Sequence, residues 1–113
     1  MSNIIAKEVH TKTQGEVRNV SVSFVGMLDA GELLTGIPIV AEVGTSDLTI
    51  TSPAVNTAQL TILGKNVEIG QAVTFSVSGG DPAVFDYQIG IIVSTDATPA
   101  QTIVRRIRIN VEP

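Results

Sequence analysis

Side chains that could do acid–base, nucleophilic or metal chemistry are sparse in this chain. It has no cysteine and one histidine, so thiolate zinc sites, cysteine nucleophiles and groups of histidines are excluded by composition. A Ser-His-Asp arrangement would depend on His10 alone, near one end of the chain, whereas catalytic groups need a rigid scaffold. The pair Gly79–Gly80 has no lysine after it to complete a phosphate-binding loop. We therefore predict no enzyme activity, no catalytic residue and no cofactor.

The acidic residues do not predict a metal site either. Asp81, Asp86 and Asp96 are spread over separate turns, without the close Asp-x-Asp spacing that concentrates charge for calcium. The net charge of −4 at pH 7 disfavours long-range attraction to nucleic acid or anionic lipid. No apolar run approaches the roughly 20 residues of a membrane helix. We predict no metal site and neither a nucleic acid nor a membrane as partner.

Apolar and polar residues alternate at a period of two through most of the chain, which predicts an all-β fold. Short strands separated by turn signals favour an immunoglobulin-like β-sandwich of about seven strands over residues 16–113, with a small Greek-key barrel as the alternative. Pro38 lies within one predicted strand, so that strand is an edge or carries a bulge. The residues predicted to face the core are Val20, Val22, Phe24, Ile37, Ile39, Ala41, Val43, Val73, Phe75, Val77, Phe85, Tyr87, Ile89, Ile91, Val93, Ile103, Ile107, Ile109 and Val111.

Met1–Gly15 is predicted to be an N-terminal extension that orders only on assembly. Ile4 and Ile5 would be its apolar anchors, and a polar stretch from Lys7 to Gln14 follows them.

The apolar residues on the outward sides of the predicted strands indicate protein contact. The chain is 43% hydrophobic and only 16% charged, and small monomers seldom expose wide apolar patches. The strand around Ile92 is apolar on both faces, so either the N-terminal segment or another subunit should cover it. The predicted outward apolar residues are Val25, Val40, Leu63, Ile92 and Val104.

Three arginines lie in the last predicted strand. Arg105 shares the core-facing side, where its stem would pack and its guanidinium would reach an acid such as Asp86 or Glu16. Arg106 and Arg108 form an outward pair suited to carboxylates on a neighbouring subunit.

Tyr87 begins a late strand just after a loop. Sandwich folds place a corner tyrosine at such a position, with its hydroxyl bonded to backbone. We therefore interpret Tyr87 as structural.

Several turn and strand motifs occur together in the chain. A strand ends in Ser78–Gly80, Tyr87 and Ile89 begin another, a polar turn starts at Ser94–Thr95, and the last strand carries the arginines. An earlier turn reads Leu-Asp-Ala-Gly-Glu, residues 28–32. In these features the chain resembles the immunoglobulin-like virion proteins of tailed bacteriophages known as fiber-tail adaptors. It departs from them in having Ser23–Phe24 where they commonly have Asp-Trp, and Thr98–Ala100 where they usually have Gly-Arg.

The resemblance implies a non-enzymatic structural component of a bacteriophage virion, an adaptor that joins tail, neck or fiber components through protein–protein contacts. Its partners would be other virion proteins and further copies of itself in a symmetric assembly. A capsid decoration protein is the alternative within this class. A host-surface carbohydrate-binding or adhesin-like sandwich is the alternative from another class; it needs exposed aromatic rings, whereas Phe24, Phe75, Phe85 and Tyr87 are all predicted to face inward.

Overall fold

The computed structural model describes residues 8–113, and strands make up most of this part of the chain. The all-β prediction is confirmed. The strands are β1 (Val9–Thr13), β2 (Arg18–Ser23), β3 (Leu34–Val43), β4 (Leu48–Val55), β5 (Leu60–Ile62), β6 (Lys65–Val67), β7 (Ala72–Gly79), β8 (Asp86–Thr95) and β9 (Thr102–Glu112), with one 3-10 turn at Val25–Met27. No helix in residues 8–113 has the length and apolar character to span a membrane.

The strands form two main sheets and a small hairpin. One sheet has four strands in the order β1-β9-β8-β3, the other has three in the order β2-β7-β4, and β5 pairs with β6. β1 runs parallel to β9, and the other pairs are antiparallel. Side chains from both main sheets meet in one buried cluster, so the two sheets form a β-sandwich. Residues 8–113 thus contain nine strands where about seven were predicted; the β5–β6 hairpin adds two to the seven of the main sheets.

The core is built from the alternation that the sequence predicted on β2, β7, β8 and β9. In the β8–β9 pair, Tyr87 lies opposite Ile109, and Ile89 lies opposite Ile107. Each of these four side chains is at most 1% exposed. Burial of one such large apolar side chain contributes about 1.5–3 kcal/mol relative to exposure. The predicted core positions of these four strands are confirmed.

The side chains of β3 that were predicted to face the core face solvent, and those predicted to face solvent face the core. Ile37 and Ile39 are 84% and 62% exposed, whereas Pro38 is buried and Val40 packs against the core. Ala41 and Val43 are likewise exposed, so the inward prediction for these four residues and the outward prediction for Val40 were wrong. Both sides of this strand are apolar, so a period of two cannot decide which side faces in. The predicted edge position and bulge are both confirmed, because β3 is the last strand of its sheet and its register shifts between Thr35 and Ile39.

One aromatic residue also departs from its predicted place. Phe24, Phe75 and Tyr87 are buried as expected, but Phe85 is 43% exposed. Phe85 has φ +66° and its amide donates to the carbonyl of Asp81, so it closes the loop before β8 and does not begin the strand. The inward prediction for Phe85 was therefore wrong.

Part of the predicted N-terminal extension lies in the four-stranded sheet. Val9–Thr13 form β1, whose Lys12 is only 1% exposed. Its ammonium donates to the carbonyls of Thr13 and Gly79 at 3.0 and 2.9 Å, so it joins β1 to the end of β7. Ile4 and Ile5 lie outside the described residues.

The buried side chain of Asn56 anchors the segment between β4 and β7, which contains the β5–β6 hairpin. Its Oδ1 accepts from the amides of Gly70, Gln71 and Ala72 at 3.0–3.1 Å. Its Nδ2 donates to two carbonyls, those of Ala58 and Glu68. One side chain thereby closes both ends of the segment between β4 and β7.

Candidate protein-interaction surface

The outer faces of the two main sheets differ in chemistry. On the three-stranded sheet, Asn19 lies opposite Ser76, which lies opposite Thr51. The Ser76 hydroxyl donates to Asn19 Oδ1 at 2.7 Å. Ser21 and Thr74 form the neighbouring pair. This face is covered by small polar side chains, which is the ordinary surface of a sandwich exposed to water.

The outer face of the four-stranded sheet carries an exposed apolar row. Ile39 of β3 lies opposite Ile92 of β8, and Ile92 lies opposite Val104 of β9. They are 62%, 39% and 48% exposed. Strands are about 4.8 Å apart, so the three side chains form a continuous strip about 10 Å long. We call these three residues the apolar row; Ile37, at 84% exposure, lies on the same side of β3.

Beside the apolar row lie a glycine and a cation. Ala41, Gly90 and Arg106 form the next set of cross-strand partners. A Cβ at Gly90 would be in ordinary van der Waals contact with Val43, at 3.5 Å. Arg106 makes no hydrogen bond or ion pair within residues 8–113. Arg106 is half-buried on the outer face.

Arg108 lies on the same face but has an acidic partner in its own sheet. Its Nε and Nη2 donate to the two carboxylate oxygens of Asp86 at 3.0 and 2.7 Å. The hydrogen bonds and the negative charge of Asp86 raise the pKa of Arg108, which keeps the guanidinium charged. Asp86 thus takes the place of the neighbour's carboxylate that the sequence interpretation assigned to Arg108.

Arg105 points to the inner side of the sheet, as predicted, but binds different partners. Its Nη2 lies 2.6 Å from Glu8 Oε1, and its Nη1 donates to the carbonyl of Ser23. The predicted partners Asp86 and Glu16 are not used. The sequence could not indicate Glu8, because this contact depends on the parallel pairing of β1 with β9.

Leu63 is exposed but lies away from the apolar row. It is 84% exposed with φ +53°, in the turn between β5 and β6. Together with Val25, Ile62, Val67 and Arg105 it lines a cleft of about 250 Å³, which we call the inner cleft. The predicted interface residues in the described part of the chain therefore divide: Ile92, Val104, Arg106 and Arg108 share the outer face, Leu63 lines the inner cleft, and Val40 is partly buried against the core.

Tyr87 occupies the corner between β7 and β8. Its hydroxyl accepts from the Asp81 amide at 2.7 Å and donates to Asp47 Oδ2 at 2.9 Å. Burial raises its pKa above the ordinary value of 10.0, and the nearby carboxylates of Asp47 and Asp81 add to this increase. These hydrogen bonds join the start of β8 to the loop after β7 and to the turn before β4.

The Glu8 carboxylate contacts two basic side chains. The Glu8 carboxylate is shared between Arg105 and His10, whose Nε2 lies 2.6 Å from Glu8 Oε2. Within residues 8–113, no three His, Asp or Glu side chains are grouped so that they could hold a metal ion.

Ile39 and Gly90 are the surface residues that sequence reasoning missed. Ile39 was assigned to the core because its whole strand is apolar on both sides. Gly90 carried a usable signal, since a glycine at an outward position between Ile89 and Ile91 marks a place where another backbone can approach closely.

Comparison with known proteins adds no relative: no family model matches the chain, and no curated protein matches its sequence.

Proposed function

We propose that this chain is a non-enzymatic docking module that binds other proteins through the outer face of its four-stranded sheet. The observation that carries the proposal is the contrast between the two outer faces of one sandwich. One face is polar across its strands, whereas the other presents the apolar row beside Arg106, whose side chain has no ion pair among residues 8–113. An apolar centre with an arginine at its border is the composition of a protein interface.

The size of this surface favours assembly in many copies. Full burial of an isoleucine or valine contributes about 1.5–3 kcal/mol, and side chains that are already half-buried contribute about half of that. Association costs about 4–15 kcal/mol in lost freedom of movement. The apolar row of one copy therefore supports only weak binding. Several copies held in a symmetric assembly bind together with much higher avidity.

The strand order supports the immunoglobulin-like form of the sandwich. The sequence of neighbours β3, β8, β9 corresponds to strands C, F and G of that fold, and β2, β7, β4 corresponds to B, E and D. The hydrogen bond from the Asp81 amide to the Tyr87 hydroxyl corresponds to its tyrosine corner. β1 beside β9 and the β5–β6 hairpin are additions to this minimal arrangement.

The place of action that we propose is a bacteriophage virion, in which the chain acts as an adaptor between tail, neck or fiber components. This rests on the resemblance of its turn and strand motifs to the fiber-tail adaptors. Most of the motif residues lie at the end of β7, in β8 and along β9. The strands β8 and β9 also carry Ile92 and Val104. A capsid decoration protein would use the same surface against the shell.

A carbohydrate-binding or adhesin-like sandwich is the second candidate, and the exposed Phe85 is the observation that favours it. Its ring is 43% exposed and adjoins Val84, also 43% exposed. If a sugar stacks there, Phe85→Ala abolishes retention of the protein on host-surface polysaccharide and Ile92→Lys does not.

The experiment that tests the virion proposal is the measurement of copy number in purified particles. The protein should be present at a fixed number of copies per particle, and a reconstruction of the particle should place the outer face of its four-stranded sheet against another protein. Particles that lack the protein, or that hold it with this face in solvent, would contradict the proposal.

A further inference from the structure

A groove with basic walls lies between β1 and β2. Within residues 8–113 these are the terminal strands of the two main sheets, and only residues 14–17 join them, so their edges lie on the same side of the sandwich. The groove has a volume of about 330 Å³, and His10 and Lys12 of β1 and Arg18 of β2 line it. We call it the basic groove. The apolar part of its lining comes from three buried core residues, Val20, Val77 and Ile109.

The ionisable side chains that line the basic groove are all basic. The chain as a whole has the opposite balance, with 11 acidic residues against 7 lysines and arginines. Two of the three bases contact an acid that does not itself line the groove. His10 Nε2 lies 2.6 Å from Glu8 Oε2, and Arg18 Nε lies 3.7 Å from Glu16 Oε1.

Lys12 differs from the other two bases in its partners. Its side chain is 1% exposed, and its ammonium donates to two neutral groups, the carbonyls of Thr13 and Gly79. It forms no ion pair within residues 8–113, and Met1–Lys7 contain no Asp or Glu that could supply one. Lysine is seldom fully buried without an opposite charge, because the lost hydration must be compensated. The groove therefore lacks one negative charge.

We propose that the basic groove binds a carboxylate group, held by the ammonium of Lys12 with the guanidinium of Arg18 on the opposite wall. An ammonium has three N–H donors, and the two carbonyls use two of them, so one remains for a carboxylate oxygen. Arg18 contacts Glu16 through Nε, and its side chain is 55% exposed, so its Nη atoms can turn to the second oxygen.

The size and chemistry of the groove limit the ligand to a small acid. Its volume is at the lower end of the roughly 300–1,000 Å³ of ligand sites, which suits an acidic side chain of a partner protein or a free small carboxylic acid. A phosphate group presents three strong acceptor oxygens, more than the remaining donor of Lys12 can match. None of the lining residues belongs to the apolar row, so this site is separate from the proposed docking surface.

The test is a titration of the isotope-labelled full chain with butyrate, followed by NMR. Charge-assisted hydrogen bonds to one carboxylate should give saturable shifts of the Thr11 and Asn19 amides, with half-saturation at about millimolar concentration. The Thr51 amide, on the three-stranded sheet away from β1, is the internal control and should not shift. The absence of saturable shifts at Thr11 and Asn19 would overturn the proposal.

Substitutions separate binding in the groove from the overall charge. Lys12→Met keeps most of the stem and removes the ammonium, and the affinity for butyrate should fall at least about tenfold. Lys65→Gln removes the same charge from an exposed position in β6 and should change the affinity less than about twofold. Equal affinities of Lys12→Met and Lys65→Gln would overturn the proposal. If Lys12→Met does not fold, Arg18→Gln replaces it, and an affinity equal to that of Lys65→Gln would again overturn the proposal.

Three probes distinguish the source of the carboxylate. Butyrate and N-acetyl-glutamate-N-methylamide have the same acidic stem and the same charge, but only the second has peptide groups. Tighter binding of the glutamate derivative supports the site and assigns the carboxylate to a side chain of a partner protein. Tighter binding of butyrate supports the site and assigns the carboxylate to a free small acid. Tighter binding of inorganic phosphate than of either would overturn the assignment to a carboxylate.

Discussion

The Tyr87 hydroxyl donates a 2.9 Å hydrogen bond to Asp47, which joins the start of β8 to the turn between β3 and β4. The same hydroxyl accepts from the Asp81 amide in the loop after β7. One buried oxygen therefore joins the loop after β7 and the start of β8 to a turn that lies 40 residues earlier in the sequence. This end of the sandwich is fixed by the contact and does not depend on apolar packing alone.

Removal of that hydroxyl should destabilise the protein without changing its fold. Tyr87→Phe leaves the Asp81 amide without its acceptor and Asp47 without its donor, and such a loss costs about 1–3 kcal/mol. Urea unfolding monitored by circular dichroism measures the difference. An unfolding midpoint equal to that of the unaltered protein would show that water replaces both bonds without cost.

Stability should fall in alkaline solution because of the same residue. Burial raises the pKa of Tyr87 above 10.0 in the folded protein, so the unfolded chain loses this proton first as the pH rises. The contribution of Tyr87 is therefore fully present below about pH 10 and is lost as the pH rises through the folded pKa. Urea unfolding at about pH 9 and about pH 11 should show a larger loss for the unaltered protein than for Tyr87→Phe. Equal losses in the two proteins would contradict this assignment.

Gly79 is required at the end of β7 for two reasons that can be separated. Its φ is +79°, and a Cβ there would lie 2.8 Å from the carbonyl oxygen of Asp47. Gly44 has φ +81° with nothing within 4 Å of its Cβ position. Gly44→Ala should cost only the strain of a left-handed conformation, about 1–2 kcal/mol. Gly79→Ala should cost clearly more in urea unfolding, because the backbone must also move, and equal costs would argue against the clash.

Asn56 should be among the least replaceable polar residues. Asn56→Ala removes five hydrogen bonds at a buried position, and we expect a loss of about 2–4 kcal/mol in urea unfolding. Asn56→Asp keeps the acceptor for the three amides but turns a buried carboxylate oxygen toward the carbonyls of Ala58 and Glu68, so at neutral pH its loss should be at least as large as that of Asn56→Ala. A clearly smaller loss for Asn56→Asp would show that the three accepted bonds dominate.

The sequence predicted the strands whose two sides differ in polarity. Val73, Phe75 and Val77 alternate with Thr and Ser, so the inner side of β7 was identifiable from the period alone. The β8–β9 hairpin was predictable for the same reason. The orientation of β3 was not, since Ile37 and Ile39 compete with Val40 and the bulge shifts the register.

The candidate surface was only partly predictable. Ile92 and Val104 were identified as outward apolar residues, and the structure brings them together in register. Their third partner Ile39 could not be found, because its position depends on the bulge in β3. The ion pair of Arg105 with Glu8 and the burial of Lys12 both require the parallel β1–β9 pairing, and local sequence patterns carry no information on long-range parallel pairing.

For the proposed virion role, the most direct test of the docking surface compares two lysine substitutions in purified bacteriophage particles. Ile92→Lys places a charge in the centre of the apolar row, and Thr51→Lys places the same charge at an exposed position on the polar outer face of the three-stranded sheet. Both proteins should fold, as circular dichroism and urea unfolding will verify. We expect the number of copies per purified particle, counted by quantitative mass spectrometry, to fall at least about tenfold for Ile92→Lys, the equivalent of about 1.4 kcal/mol or more, and to stay unchanged for Thr51→Lys. Normal incorporation of a folded Ile92→Lys protein would contradict the proposed docking surface.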